Sequence, residues 1–159
     1  MEAIEEVQQT SVADEYHSGG ELQYLTFMLG EESYGIEILR VQEIRGWEPV
    51  TTVPNTPSYV RGVLNLRGNI IPVIDLRLKF QLSKVEFGKT TVIIVVEVGD
   101  RVLGAVVDAV SEVLSIAQTS IQESESIGSI VGAQMLSGIA KCEERLVSLL
   151  DVEKVLALR

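Results

Sequence analysis

The sequence predicts an all-β fold with a few short helices, built as two small five-stranded β-barrels packed around a shared hydrophobic core. Two observations carry this. From Leu22 onward the chain runs in short segments rich in Val, Ile, Tyr and Thr, separated by Gly, Pro and acidic turn residues, and helical periodicity is weak. The same template also occurs twice. A shift of 69 residues lays Leu25-Thr26-Phe27-Met28-Leu29-Gly30 on Ile94-Val95-Val96-Glu97-Val98-Gly99. It also lays Tyr34-Gly35 on Leu103-Gly104, and Val41, Glu43 and Ile44 on Val110, Glu112 and Val113. Seven extra residues in the second half change the shift to 76, which pairs Gly62-Val63 with Gly138-Ile139, Val73-Ile74-Asp75 with Leu149-Leu150-Asp151, and Phe80 with Leu156.

Taken in order, residues 1–20 hold five acids, no Lys or Arg and the Ser18-Gly19-Gly20 break, and read as a flexible acidic tail; the folded domain then covers 21–159. Strands are expected at Gln23–Leu29 and Ser33–Val41, joined by the turn Gly30-Glu31-Glu32, and at Val50–Val53 and Ile70–Asp75. In the second half they are expected at Thr91–Val98 and Val102–Val107, joined by Gly99-Asp100-Arg101, and at Val113–Ile116 and Leu146–Leu150. Helical turns are expected at Ser58–Val63, Leu76–Phe80, Ile130–Leu136 and Val152–Leu158.

About five short strands per half is too little for an independent sandwich but enough for a small barrel, which removes its own sheet edges. A barrel of ~60 residues buries only ~60% of its unfolded surface. An apolar seam between the two is therefore expected to supply the remaining stability, and to be the natural groove for a ligand.

Composition excludes several functions. Thirteen Lys and Arg against 23 Asp and Glu leave a net charge of −10, which repels phosphate backbones and anionic lipid, so neither nucleic acid nor a membrane surface is an expected partner. The longest apolar run, Val92 to Val96, ends at Glu97, far short of the ~20 residues that span a bilayer. The N-terminus is acidic where a secretory signal is basic, and the single cysteine, Cys142, has no partner for an internal disulfide, so a cytoplasmic chain is expected.

The sequence offers little chemistry. The repeat makes Asp75 and Asp151 equivalent, which invites comparison with paired catalytic aspartates. Each ends an apolar strand and precedes a short apolar-periodic segment, however, where an aspartate caps the first helical turn, and neither is followed by an Asp-Thr-Gly or Asp-Ser-Gly pattern. The only histidine, His17, falls in the tail, so no nucleophile-histidine arrangement can be assembled and zinc would lack ligands beyond Cys142. Gly99-Asp100-Arg101-Val102-Leu103-Gly104 runs strand to strand and reads as a hairpin, not a phosphate loop. No enzyme and no cofactor is expected; a small-ligand or catalytic barrel is the rival class.

The stretches that stand out are Val41-Gln42-Glu43-Ile44-Arg45-Gly46-Trp47 and Arg61-Gly62-Val63-Leu64-Asn65-Leu66-Arg67-Gly68. Trp and Arg are the residue types most enriched at binding hot spots. Trp47 reads either as packing filler or as an interface anchor, and Arg67 either as a solvated hairpin residue or as a partner-facing fork. An ion pair with Glu43 would orient that fork.

These same residues carry a resemblance. Tyr34 to Arg45, Pro54-Asn55-Thr56-Pro57, Gly62 to Gly68, Ile71-Pro72-Val73-Ile74-Asp75-Leu76-Arg77 and Val102 to Leu114 together, in this order and spacing, resemble the chemotaxis coupling (adaptor) family CheW over about Leu22–Leu158. The resemblance implies two SH3-like, five-stranded barrels around a common hydrophobic centre. It implies a non-enzymatic adaptor, recruited to membrane-associated arrays, that joins the cytoplasmic tips of methyl-accepting chemoreceptors to the regulatory domain of the histidine kinase CheA. Ring contacts between pseudo-equivalent barrel ends, including self-association of the adaptor, belong to the same picture. Position by position, it places the receptor-facing groove on Val41, Glu43, Ile44, Gly62, Arg67, Val92 and Gly104. It assigns no kinase-contact residues.

Overall fold

A computed structural model describes residues 20–82, 85–123 and 135–156. The chain runs β1 (Glu21–Leu29), β2 (Glu32–Glu37), β3 (Val41–Gly46), β4 (Val60–Leu66), β5 (Asn69–Asp75), α1 (Leu76–Lys79) and β6 (Val92–Val98). It continues through β7 (Arg101–Val107), β8 (Ala109–Ala117), β9 (Ile121–Glu123), β10 (Leu136–Cys142), β11 (Arg145–Leu150) and α2 (Val152–Val155). One-turn 3-10 segments, Ile38–Arg40 and Gln118–Ser120, precede β3 and β9.

Two sheets form, but neither is one half of the chain. The five-stranded sheet has the order β3-β6-β7-β5-β4, and the six-stranded sheet β8-β1-β2-β11-β10-β9. Each repeat thus gives its first hairpin, β1-β2 or β6-β7, to the sheet of the other. The registers repeat with the sequence: Val41 faces Val96 where Val110 faces Phe27, and Val73 faces Gly104 where Leu149 faces Gly35. Both barrels close in the same way. The chain leaving β3 bridges back to β4 at Thr51 and Val63, and the chain leaving β8 turns into β9, which pairs with β10. The short β9 makes the second sheet six-stranded rather than five.

The exchange explains the local departures from expectation. The strand expected at Ser33–Val41 breaks at Ile38 because the backbone crosses there from one sheet to the other, with the Ile38 side chain buried in the shared core. Val50–Val53 is no strand, because Pro49 and Pro54 remove ladder donors at both ends and only the Thr51 bridge remains. Ser58–Val63 is not helical; from Val60 the chain pairs antiparallel with β5. The turn expected at Ile130–Leu136 lies largely outside the described residues, and Leu136 opens β10, a strand the sequence pattern did not indicate. Residues 1–19, with His17, also lie outside them.

Strand alternation divides the apolar residues into three cores. Leu64, Leu66, Ile71, Val73, Ile93, Val95 and Val106 fill the first barrel, and Tyr24, Ile116, Ala140, Val147 and Leu149 the second. The largest cluster lies between them, where Leu25, Phe27, Leu29, Ile38, Val41 and Ile74 meet Ile94, Val96, Leu103, Leu150, Val152 and Val155. Neighbouring residues on β6 thus bury opposite faces, Ile93 and Val95 inward and Ile94 and Val96 into the seam. At ~1.5–3 kcal/mol per fully buried aliphatic, the seam contributes more than either barrel interior. Among the described residues its interior holds no groove, since the void lined by Phe27, Ile36, Leu76, Ile94 and Leu150 measures only ≈10 Å³; a recess of ≈190 Å³ opens at its edge between Glu37, Arg40, Leu150, Asp151 and Glu153.

Candidate functional site

All seven positions singled out by the resemblance belong to the first barrel. Val41, Glu43 and Ile44 lie on β3, Gly62 on β4, Val92 on β6 and Gly104 on β7, while Arg67 occupies the β4-β5 turn. Only part of the set reaches the surface. Val41 is 1% exposed and packs in the seam, and Gly62 and Gly104 are buried. A Cβ on Gly104 would come within 2.8 Å of Ile93 Cγ2, and one on Gly62, at φ 150°, would overlap the Thr51 carbonyl that closes the barrel. These three shape the platform from beneath. Ile44 and Val92 are half-buried and Arg67 is exposed.

The surface chemistry centres on Glu43. A bulge between Val41 and Glu43 resets β3, so that Glu43 stands opposite Val95 on β6. Arg67 and Gly68, at φ 52° and 90°, form a tight turn in which Asn65 Oδ1 accepts from the Gly68 amide at 2.9 Å. The turn aims Arg67 across the sheet, where Nη2 donates to Glu43 Oε1. Arg45, two residues along β3, donates from Nη1 to Glu43 Oε2 at 3.4 Å and from Nη2 to Glu48 at 2.8 Å. The result is an alternating row of charge, Arg67, Glu43, Arg45 and Glu48. The hydrogen bond from Arg67 holds the Glu43 carboxyl below its ordinary range. The opposite charges of Glu43 and Arg67 were visible in sequence; Arg45 and Glu48 were missed, although a strand puts residues 43 and 45 on one face.

A second cluster, not foreseen, lies beside this one. Arg77 is fully buried. Its Nε and Nη2 form a two-pronged pair with Asp75, at 2.9 and 3.0 Å, and its Nη1 reaches Asp108 at 3.0 Å and the Glu86 carbonyl. These partners outweigh desolvation and keep the guanidinium charged. Arg61 Nε also donates to Asp75, at Oδ2, the oxygen that Arg77 Nη2 uses, at 2.9 Å. Asp75 also caps α1 by accepting from the Arg77 amide, and Asp151 caps α2 by accepting from Glu153 and Lys154. Capping is therefore what the two equivalent aspartates do. Trp47 packs over the first barrel's core and stacks on Phe87, ring centroids 4.3 Å apart. Burial pushes the Cys142 thiol up, away from the reactive thiolate. Among the described residues there is no cluster of His, Cys, Asp or Glu fit to hold a metal, and no helix long and apolar enough to cross a membrane.

Comparison with known proteins agrees with this architecture. The family model for the CheW-like domain matches residues 23–159. A chemotaxis protein CheW of Klebsiella aerogenes is 46% identical over 135 residues, covering 85% of this chain and 81% of that protein. The chemotaxis protein CheW of Helicobacter pylori is 41% identical over 136 residues, with the same coverage of 85% and 81%. The crystal structure of the scaffolding protein TtCheW from Thermoanaerobacter tengcongensis superposes with a TM-score of 0.80 at 35% identity, covering 87% of this chain and 94% of that one. The double barrel with exchanged hairpins, matched along nearly its whole described length by chemotaxis proteins of this kind, places the chain in the CheW-like family.

Proposed function

We propose that this protein is a non-enzymatic chemotaxis adaptor that couples the cytoplasmic helical tips of chemoreceptors to the regulatory domain of the histidine kinase CheA. It would act in the cytoplasm, held at membrane-associated receptor arrays. The observation that carries the reading is the Glu43–Arg67 pair: an exposed guanidinium is fixed by one carboxylate on one face of β3, while half-buried Ile44 and Val92 lie on the other face, against the seam core. A guanidinium has five N–H donors, and Glu43 occupies one of them here, leaving others for acceptors on a helical tip. Ile44 and Val92 offer apolar contact at the rim of the seam, on the other face of the sheet, while Val41, Gly62 and Gly104 set the backbone beneath. The relatives' names, chemotaxis and scaffolding proteins, support the same assignment.

The mechanism requires no bond chemistry. An adaptor alters kinase output when its contacts differ in free energy between the active and inactive arrangements of the kinase. Contacts of micromolar strength, roughly −8 kcal/mol, gain avidity when several adaptors and kinases share one array. The enclosed void of the seam, ≈10 Å³, is less than a metabolite needs, so under the rival small-ligand reading the ligand would have to use the ≈190 Å³ recess at its edge, lined by Glu37, Arg40, Asp151 and Glu153. Co-precipitation of the purified chain with a receptor helical-hairpin fragment and with the CheA regulatory domain tests the proposal. Binding of both is expected, and binding of neither refutes it.

A further inference from the structure

Residues 85–91, which lead into β6, lie beside the end of β3, and Phe87 is the centre of their packing. One face of the Phe87 ring meets Trp47, with ring planes inclined by 21°. The guanidinium carbons of Arg61 and Arg77 each lie 4.8 Å from the ring centroid. Both arginines are anchored on Asp75, and Arg77 also holds the backbone of the adjacent Glu86. A buried carboxylate thus fixes two cations, the cations fix an aromatic ring, and the ring fixes the tryptophan just beyond the end of β3.

The backbone reinforces the same junction. The Trp47 amide donates to the Thr91 carbonyl at 3.1 Å, and Thr91 is tied to Gly88 by its hydroxyl, 2.9 Å from the Gly88 amide. From Val92 onward the register is continuous, with Gly46 facing Val92, Arg45 facing Ile93 and Glu43 facing Val95. Trp47 therefore sits where β3 leaves the sheet, four residues from the carboxylate that holds Arg67. Between Trp47 and Glu43 lies Arg45, which bonds both Glu43 and Glu48. Without a fixed exit, an edge strand such as β3 frays from its free end.

We propose that Phe87 is a positioning residue for the receptor-facing site, a latch that holds the exit of β3 and through it the Glu43–Arg67 pair in binding geometry. The inference rests on the adaptor reading for what the site binds, but not for what the latch does. Phe87 is itself 43% exposed. An apolar ring held half in solvent between a tryptophan and two arginines is stabilised by those stacking partners more than by core burial.

The test compares Phe87→Leu, which keeps apolar volume but removes the ring, Phe87→Ala, and Phe87→Tyr, which keeps the ring. Three measurements are made on the full chain. Trp47 is the only tryptophan, so its quenching by acrylamide reports the latch alone. Carboxyl chemical shifts followed against pH report the Glu43 titration midpoint. Calorimetry against a receptor helical-hairpin fragment reports binding. For Phe87→Leu and Phe87→Ala we expect Trp47 quenching to rise, the Glu43 midpoint to move up toward the ordinary carboxylate value, and the dissociation constant to increase about tenfold, one decade being a modest loss of positioning. Phe87→Tyr should match the parent in all three. If Phe87→Ala fails to fold, Phe87→Leu decides. Raised quenching with an unmoved Glu43 midpoint overturns the latch. If the parent itself fails to bind the receptor fragment, the adaptor reading falls, and the Glu43 midpoint still decides the latch.

Discussion

Replacing Arg67 by glycine should separate binding from stability. Arg67 is a non-glycine residue at φ 52°, a conformation that costs an L-residue about 1–2 kcal/mol and that glycine adopts freely. Removing that strain is offset by the greater freedom glycine gives the unfolded chain, about 0.5–1 kcal/mol. The lost ion pair offsets it further: Arg67 is 67% exposed, and exposed pairs contribute only ~0.2–1 kcal/mol. The terms nearly cancel, so Arg67→Gly should shift stability by less than about 1 kcal/mol, or Tm by no more than ~4 °C in a chain this long. Binding should respond differently. A hydrogen bond to a charged group contributes ~1.5–3 kcal/mol, which corresponds to a dissociation constant about 10- to 150-fold larger for the receptor fragment. Differential scanning fluorimetry and isothermal titration calorimetry on the same preparation measure both. Lysine at the same position keeps the charge without the fork and should fall between. A fall in Tm well beyond ~4 °C would refute the strain argument, since the αL backbone would then need arginine for the fold. Unchanged affinity would remove Arg67 from the site.

Two further outcomes follow from the same geometry. Because Arg67 holds the Glu43 carboxyl below its unfolded value, the pair's small contribution is fully present above the unfolded carboxylate pKa and is lost as pH falls through the folded one; Arg67→Ala should raise the Glu43 midpoint measured by carboxyl NMR, and an unmoved midpoint would contradict the pairing. The two helix-capping aspartates should differ sharply in urea denaturation: Asp75→Ala strands two arginines, one of them fully buried, and should cost about 3–5 kcal/mol, whereas Asp151→Ala removes only a cap and should cost ~1 kcal/mol, so equal costs would contradict the inequivalence.

The duplication was legible to the residue, because a two-fold repeat constrains every register at once. The bulge between Val60 and Gly62 recurs between Leu136 and Gly138, and the amide of Asp75 bonds the Tyr59 carbonyl as Asp151 bonds Met135. What could not be read was which strands pair. Alternation reports the face a residue occupies but not the neighbouring strand, so the exchange of hairpins left no local mark except the unbroken run Ile93–Val96, apolar on both faces. The charge pair at the site was legible because Glu43 and Arg67 lie in motifs with little other reason for charge. The burial of Val41 and Gly104 was not, since positions carried over from a family do not report whether they act by touching a partner or by supporting a neighbour. Arg77 shows the same limit. Its place next to a capping aspartate does not indicate burial, which comes from the approach of Asp108, 31 residues on, and of the Glu86 carbonyl, nine residues on.

The symmetry is broken in the charged positions. Where the first barrel has Arg61, Arg67 and Arg77, the second has Ser137, Glu143 and Glu153 at the equivalent places. The two hairpin turns keep the same backbone, Arg67 at φ 52° and Glu143 at φ 59°, while the charge at the tip reverses. Both barrels keep a glutamate on the edge strand, Glu43 and Glu112, and both pair it with an arginine from the adjoining hairpin, Arg67 in one and Arg145, 2.8 Å away, in the other. The core positions instead keep their character, since Ile74, Leu76 and Val96 correspond to Leu150, Val152 and Phe27 and all line the seam. A duplicated binding protein with two identical ends would recognise one partner twice. Here a shared apolar seam holds the barrels as one body, and the reversal of charge at equivalent turns gives each end a different electrostatic preference, as the proposed adaptor function would require.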